Sequence, residues 1–207
     1  MTNLAATSSE TKESAPLGKF ATWLVRFRVS ISAALFVGLI IENLVFATPP
    51  KFGWWRDPSV QGYLGAVLVL VGLLIRSWAA GILPKGQDLA TSGPYSLCRH
   101  PLYLGSFLMM AGFCMLIGYL HDYVVIFGPI VLIYYFTMRA EERRVSQKYG
   151  SRWIAFQART PMFVPWKPWQ YQAAPWSAAR WWKCREYRAV LCSLAGLAVA
   201  ELWRVFA

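Results

Sequence analysis

Residues 102–120 contain no charged side chain, and after only His121-Asp122 the apolar character resumes for Tyr123–Met138. This pair of runs constrains the fold more than any other feature. A helix needs about 20 residues to cross the ~30 Å hydrocarbon layer. A connection as short as His121-Asp122 admits only an antiparallel hairpin. Further apolar runs flank the hairpin: Val29–Ala47, with Glu42 as its one charge and Thr48-Pro49-Pro50 as its end, Gln61–Leu83, and Ala189–Ala200 extended by Tyr187 to Phe206. Hydrophobic residues make up 57% of the chain and charged residues 15%, against roughly 45–50% and about 25% in soluble proteins. The expected fold is therefore all-α, a polytopic membrane bundle of about five transmembrane helices.

The chain divides into a polar, Ser/Thr-rich tail over residues 1–27, expected to be disordered, and a membrane domain over 28–207. Helices are expected near 29–47, 61–83, 102–120, 123–158 and 187–206, the fourth continuing beyond the membrane as a charged amphipathic extension. The first run is long for a signal segment and lacks a small-residue cleavage site, so it reads as a membrane helix. Pro161, Pro165, Pro168 and Pro175, with Trp166, Trp169, Trp176, Trp181 and Trp182, predict a non-helical segment over 160–182 lying along the membrane surface. The last run is marginal in length for a full span.

The net charge is +11, with Lys12, Lys19, Arg26 and Arg28 before or at the start of the first run, Lys85 and Arg99 between the second and third, and eleven Lys/Arg between Arg139 and Arg188. The opposite loops hold Lys51 and Arg56. This positive-inside distribution argues against a nucleic-acid partner and predicts that the N-terminus and the 84–101 loop are cytoplasmic. Cys98, Cys114, Cys184 and Cys192 show no metal-binding or disulfide spacing.

Two polar strings bracket the hairpin. The first is Gly93-Pro94-Tyr95-Ser96-Leu97-Cys98-Arg99-His100-Pro101-Leu102-Tyr103-Leu104-Gly105; the second, Glu141-Glu142, begins 36 residues after Gly105. Pro101 suits the first position of a helix, leaving free N–H groups and a positive dipole end beside Arg99 and His100. Such a place suits a carboxylate or phosphate. Tyr95 and Tyr103 offer stacking and hydrogen bonds, and Gly105 allows close approach to the backbone. Eighteen or so residues up and as many down return the chain to the same depth, so Glu141 and Glu142 are expected beside His100 and Tyr103. Polar side chains at this depth are costly to keep and point to a polar ligand site. Each string also has a plainer reading, the cations as interface residues and the glutamates as partners of Arg143, Arg144 or Lys148 on their own helix. Arg76, near the inner end of the second run, either snorkels to the interface or meets an anionic ligand group or Glu141/Glu142.

In combination and order these motifs resemble those of the isoprenylcysteine carboxyl methyltransferase and phospholipid methyltransferase group of integral membrane enzymes. The shared pattern is Gly93-Pro94-Tyr95, Arg99-His100-Pro101-Leu102-Tyr103-Leu104-Gly105, Glu141-Glu142 and Tyr149-Gly150, over about residues 60–165. The resemblance implies S-adenosylmethionine as cofactor, with contacts from Gln87, Asp88, Leu89, Ala90, Tyr95, His100, Pro101, Leu102, Tyr103 and Glu141, and with Arg99, Gly105 and Glu142 in the same network. Some members of the group place a substrate-contacting arginine just before the Glu pair, a position that falls here on Arg139 or on Thr137. The family's paired tyrosines after Tyr149-Gly150 are here Trp153 and Phe156, and its Pro-Arg-Phe-x-Pro is Pro161-Met162-Phe163-Val164-Pro165. The cofactor side is thus intact and the substrate side altered. The expected activity is methyl transfer to a lipid-like or small acceptor: an isoprenylcysteine-like carboxylate, a phospholipid amine or a thiol. Rival readings are an NADPH-dependent reductase of the sterol reductase type, which carries a similar Arg-His-Pro string, and a non-catalytic membrane scaffold.

Overall fold

The computed structural model describes residues 19–82, 88–166 and 171–207. Its regular structure is α-helical: α1 (Lys19–Val45), α2 (Val60–Ile82), α3 (Pro94–Leu97), α4 (Pro101–Ile117), α5 (Leu120–Tyr149), α6 (Ser151–Arg159), α7 (Ala178–Lys183) and α8 (Glu186–Phe206). Among the described residues α2, α5 and α8 are long and apolar enough to cross a membrane, and α4 is a shorter apolar helix. The fold is an all-α membrane helix bundle.

Local chemistry sets the helix ends. Ser59 starts α2, its hydroxyl accepting the Gly62 N–H at 3.0 Å, a capping bond that satisfies one free helix donor. Pro101 occupies the first position of α4. Gly118 ends α4 in the left-handed conformation, φ 79°, its N–H bonded to the Cys114 carbonyl, the usual glycine stop. Lys51 and Phe52 N–H groups then cap the Ile117 and Leu116 carbonyls at 3.1 and 3.2 Å.

Several boundaries differ from the sequence expectation. The hairpin turns at Gly118-Tyr119, and His121-Asp122 lie inside the first turn of α5. Glycine alone there takes a positive φ without strain, and an acid is favoured at a helix start. The expected helix over 123–158 is two: Gly150, at φ 52°, separates α5 from α6. Helix α1 already includes Lys19, the first described residue, inside the stretch expected to be tail, where six of the eight residues Phe20–Phe27 are apolar; the rest of that tail, 1–18, lies outside the described residues. Within 160–182, residues 178–182 are helical as part of α7, since no proline follows Pro175 and Ser177 caps the turn.

Helices α2 and α4 form the most extensive interface of the bundle. Glycines make it possible. A Cβ added at Gly65 would lie 2.8 Å from the Gly112 carbonyl oxygen, and one at Gly105 would lie 2.6 Å from that of Gly72. Two small-residue pairs one heptad apart thus let the antiparallel backbones touch. Around them pack Ala66, Val69, Leu73, Leu116 and Leu197, which brings α8 against the pair. Helix α1 packs on α5, with Leu39 joining Met110, Cys114, Ile126 and Ile130. At that end of the bundle His121 Nε2 lies 3.4 Å from Glu42 Oε1, linking α1 to α5. The same end is fastened to α8 by Glu201, which accepts the Trp54 and Arg56 N–H groups at 3.2 and 2.9 Å.

Candidate active site

At the opposite end, where α4 starts and α5 ends, a cavity of about 490 Å³ opens, within the usual range for a small-molecule site of roughly 300–1,000 Å³. The turn Gly93-Pro94 and the short α3 bring the chain to it, with Gly93 at φ 61°. The turn is held from outside: Gly93 N–H donates to the Gln172 carbonyl at 2.6 Å, and the Ser96 hydroxyl accepts the Gln172 N–H at 3.0 Å. Arg99 N–H donates to the Pro161 carbonyl at 2.9 Å. The segment after α6 therefore clamps the loop that presents Arg99 and His100.

The hairpin delivers the glutamates as its register requires. Arg99 Nη1 donates to Glu142 Oε1, and His100 Nε2 lies 3.3 Å from the same oxygen. Glu142 is 5% exposed, a depth at which a carboxylate needs such partners. Glu141 accepts a hydrogen bond of 2.8 Å from the Tyr103 hydroxyl. Tyr103 also meets the rings of His100 and Tyr134 edge-on, with centroids 5.7 and 5.1 Å apart. The Arg99 guanidinium sits 5.8 Å from the Trp153 ring, a cation–π contact that helps fix it.

Two buried polar atoms at the cavity have no hydrogen-bond partner within the protein, the Tyr95 hydroxyl and Arg99 Nε. Both are donors. Burial, the main cause, and then the nearby Cys184 push the Tyr95 phenol well above its ordinary value, so it acts as a neutral donor. Burial likewise pushes the Cys98 thiol up to about 11, which keeps it protonated and unreactive at neutral pH. Buried donors without partners are costly, and both belong to residues that line the cavity.

Of the residues singled out from sequence, Asp88, Leu89, Ala90, Tyr95, Arg99, His100, Pro101, Leu102, Tyr103, Glu141 and Glu142 line this cavity. Gln87 lies outside the described residues. Gly105 does not line it; with no side chain, Gly105 faces α2, against Gly72 and Arg76. Arg139 does not line it either. Its side chain is 48% exposed, donates to the Tyr135 hydroxyl at 3.4 Å and stays 3.8 Å from Glu142 Oε2, because that face of α5 turns away from α4.

The cavity also takes in Ser106, Tyr134 and Val145, which sequence reading left aside, together with Arg76, Tyr149, Trp153 and Phe156, which it noted outside the cofactor set. Tyr134 lies two helical turns before Glu141, on the same face. Trp153 and Phe156, one turn apart on α6, are its buried residues. Arg76 pairs with neither Glu141 nor Glu142. It forks onto Glu186, with Nε to Oε1 at 2.7 Å and Nη2 to Oε2 at 3.0 Å. One signal pointed to Glu186: it is the lone acid between Glu142 and Glu201, in a stretch crowded with Lys and Arg.

Residues 60–152, which carry α2, the α3 turn, the α4–α5 hairpin and both polar strings, match the family model described as phospholipid methyltransferase. The chain belongs to the phospholipid methyltransferase family. With three apolar helices of spanning length, this membrane-enzyme family member is an integral membrane protein. It is similar to the cobalt-zinc-cadmium resistance protein CzcN of Cupriavidus metallidurans, 32% identical over 147 residues that cover 69% of this chain and 66% of the relative. It is also similar to the nickel-cobalt-cadmium resistance protein NccN of Alcaligenes xylosoxydans xylosoxydans, 31% identical over 158 residues that cover 72% of this chain and 68% of the relative. The chain thus spans about two thirds of each relative's length. No solved structure gives a significant match.

Proposed function

We propose that this protein is an S-adenosylmethionine-dependent membrane methyltransferase whose cofactor and acceptor meet in the cavity between the start of α4 and the end of α5. One observation carries the reading: Glu141 and Glu142 converge with Tyr103, Arg99 and His100 on a single cavity, inside the segment that matches the family model. The donor set fits the cofactor. Its carboxylate suits Arg99, His100 and the free N–H groups at the start of α4; its ammonium and ribose hydroxyls suit Glu141; the partnerless Tyr95 hydroxyl suits an acceptor atom of the nucleoside. Asp88, Leu89, Ala90, Pro101 and Leu102 complete the wall on this reading, and Glu142 orients Arg99 and His100.

Bound S-adenosylmethionine supplies a methyl group activated by a sulfonium. The protein's task is then to hold an acceptor in line and to exclude water. Tyr134, Trp153 and Phe156 supply the apolar part of such an enclosure. The acceptor on this reading is an amphiphile that enters from the bilayer or a small molecule. The excess of Lys and Arg on the cavity side puts that end, with the N-terminus, in the cytoplasm. The names of the two relatives supply a physiological setting, tolerance of transition metals, which growth of a deletion strain on cobalt, nickel, zinc and cadmium salts would examine. Among the described residues no group of three or more His, Cys, Asp or Glu is disposed to hold a metal ion.

The deciding experiment is calorimetric titration of the detergent-purified protein with S-adenosylhomocysteine, with NADPH in parallel. Micromolar binding of the nucleoside, weakened in Glu141→Gln, supports the proposal. Binding of NADPH in its place would move the protein to reductase chemistry, and binding of neither would leave the scaffold reading.

A further inference from the structure

The Arg76–Glu186 pair is absorbed neither by the packing of the bundle nor by the cofactor reading. Arg76 lines the cavity from α2. All three of its guanidinium nitrogens are engaged: Nε and Nη2 on the two oxygens of Glu186, and Nη1 on Ser106 Oγ at 2.5 Å. Ser106 in turn donates to the Leu102 carbonyl at 2.9 Å, so its lone pairs are left for Arg76. The Arg76 side chain is 23% exposed and that of Glu186 5%; the guanidinium borders the cavity and the carboxylate sits behind it. Glu186 reaches this place from the first residue of α8. The residue before it, Arg185, has φ 57°, a left-handed conformation rare outside glycine, and that turn joins α7 to α8 directly ahead of the acid.

The consequence is electrostatic. The fork geometry that makes arginine the best receptor for a carboxylate or phosphate is filled from within the chain. The cavity's other guanidinium, Arg99, is paired with Glu142 and belongs, on the reading above, to the cofactor's carboxylate. Among the described lining residues the remaining charged side chains are Asp88 and Glu141. An anionic acceptor head entering beside the cofactor meets carboxylates and no guanidinium left over for it, in surroundings where a like-charge encounter is poorly screened. An uncharged or cationic head meets no such barrier.

We propose that Glu186 is a specificity-determining residue: by occupying Arg76 it denies the acceptor an anion subsite in the cavity, so that the acceptor presents an uncharged or cationic head and acceptors headed by a carboxylate or phosphate are refused. The proposal rests on the reading of this cavity as the methyl-transfer site. It makes Arg76 a latent anion receptor, exposed when Glu186 is neutralised.

The test uses the full chain in nanodiscs of uncharged lipid, with empty nanodiscs as blank. Uptake of S-adenosylhomocysteine is measured first; its absence defeats the functional reading and not the electrostatic one. The protein is then titrated with two probes of equal chain length, dodecylamine and dodecyl phosphate. Wild type is expected to favour the amine by about tenfold or more. Glu186→Gln is expected to narrow or reverse that ratio by gaining phosphate affinity, and adding Arg76→Gln to it to remove the gain. Equal affinities in wild type, including no binding of either probe, overturn the proposal, as does an unchanged ratio in Glu186→Gln. If Glu186→Gln fails to fold, the wild-type ratio and the neutral double variant Arg76→Gln/Glu186→Gln, expected to bind the phosphate no better than wild type, decide it.

Discussion

The Tyr103 hydroxyl donates a 2.8 Å hydrogen bond to Glu141 across a sequence separation of 38 residues, closing the mouth of the hairpin at the depth of the cavity. Because Tyr103 sits in the first turn of α4 and Glu141 in the last turns of α5, the bond holds the glutamate's carboxylate in one orientation. Tyr103→Phe keeps the ring contacts to His100 and Tyr134 and removes this bond. A hydrogen bond to a charged group is worth about 1.5–3 kcal/mol, so S-adenosylhomocysteine affinity is expected to fall by about ten-fold or somewhat more. Thermal stability should fall as well, since the bond is already formed without ligand. Calorimetry and a melting curve on the same sample separate the two effects; undiminished affinity would remove Tyr103 from the site.

Arg99 and Glu142 form a mostly buried ion pair, with side-chain exposures of 11% and 6%. Breaking such a pair from one side leaves a buried charge without a partner, at a cost of about 3–5 kcal/mol. Arg99→Ala and Glu142→Ala should each destabilise the protein by that order, whereas the double variant should cost clearly less than the sum. His100 moderates the Glu142 side of the cycle, since it stays 3.3 Å from the Glu142 oxygen in wild type. Denaturation of the four proteins in one detergent measures the coupling, and simple additivity would mean that the pair contributes nothing as a pair.

The closest backbone approach tied to the site is that of Gly105 to Gly72. A methyl at position 105 would fall 2.6 Å from a carbonyl oxygen and 2.6 Å from Arg76 Cγ. Backbone cannot swing aside as a side-chain tip can. Gly105→Ala is expected to push α2 and α4 apart and to cost about 1–3 kcal/mol, with a loss of cofactor affinity, because α4 carries Pro101, Leu102 and Tyr103 at its start. Gly128, in α5, has nothing within 4 Å of an added methyl. Gly128→Ala is the matched control and should be neutral or stabilising by up to about 1 kcal/mol. Melting temperatures of the two variants that move together would contradict this account.

Much of this was legible in the sequence for a simple reason. A helix in a bilayer has its length set by the membrane, so counting residues along the hairpin gives the depth of each one. That count put Glu141 and Glu142 beside His100 and Tyr103, where the hydrogen bonds now place them. Three things were not countable. The turn fell on Gly118-Tyr119 and not on His121-Asp122, because backbone freedom, not polarity, decides where a chain reverses. The azimuth of Arg139 put it outside the cavity, where its guanidinium meets Tyr135; three residues from Glu142 it still points elsewhere. Glu186 stands 110 residues from Arg76, and no local pattern links a residue at the start of the last helix to one near the end of the second.

The cysteines give a prediction in pH. Cys98 is 2% exposed, and its thiol, ordinarily at 9.0, is pushed up to about 11, chiefly by burial, with the His100 backbone drawing it slightly back. A thiol must ionise to attack an alkylating agent, so Cys98 is expected to resist N-ethylmaleimide at pH 7–8 in the folded protein and to react at the same pH once the protein is unfolded in denaturant. The sign for stability follows from the same shift. The folded protein holds the Cys98 proton more tightly than the unfolded chain does, so this contribution is intact below the ordinary thiol value and is lost as pH rises from there towards 11. Tyr95, raised in the same direction, reinforces that alkaline loss. Mass spectrometry after timed labelling at pH 7.5 and 9.5 reads the first effect, and melting temperature across pH 8–11 the second. Rapid labelling of Cys98 at pH 7.5 in folded protein would mean that the loop carrying Arg99 and His100 opens to solvent, and would place the motion of that loop, and not the chemistry of its residues, at the centre of how a ligand enters.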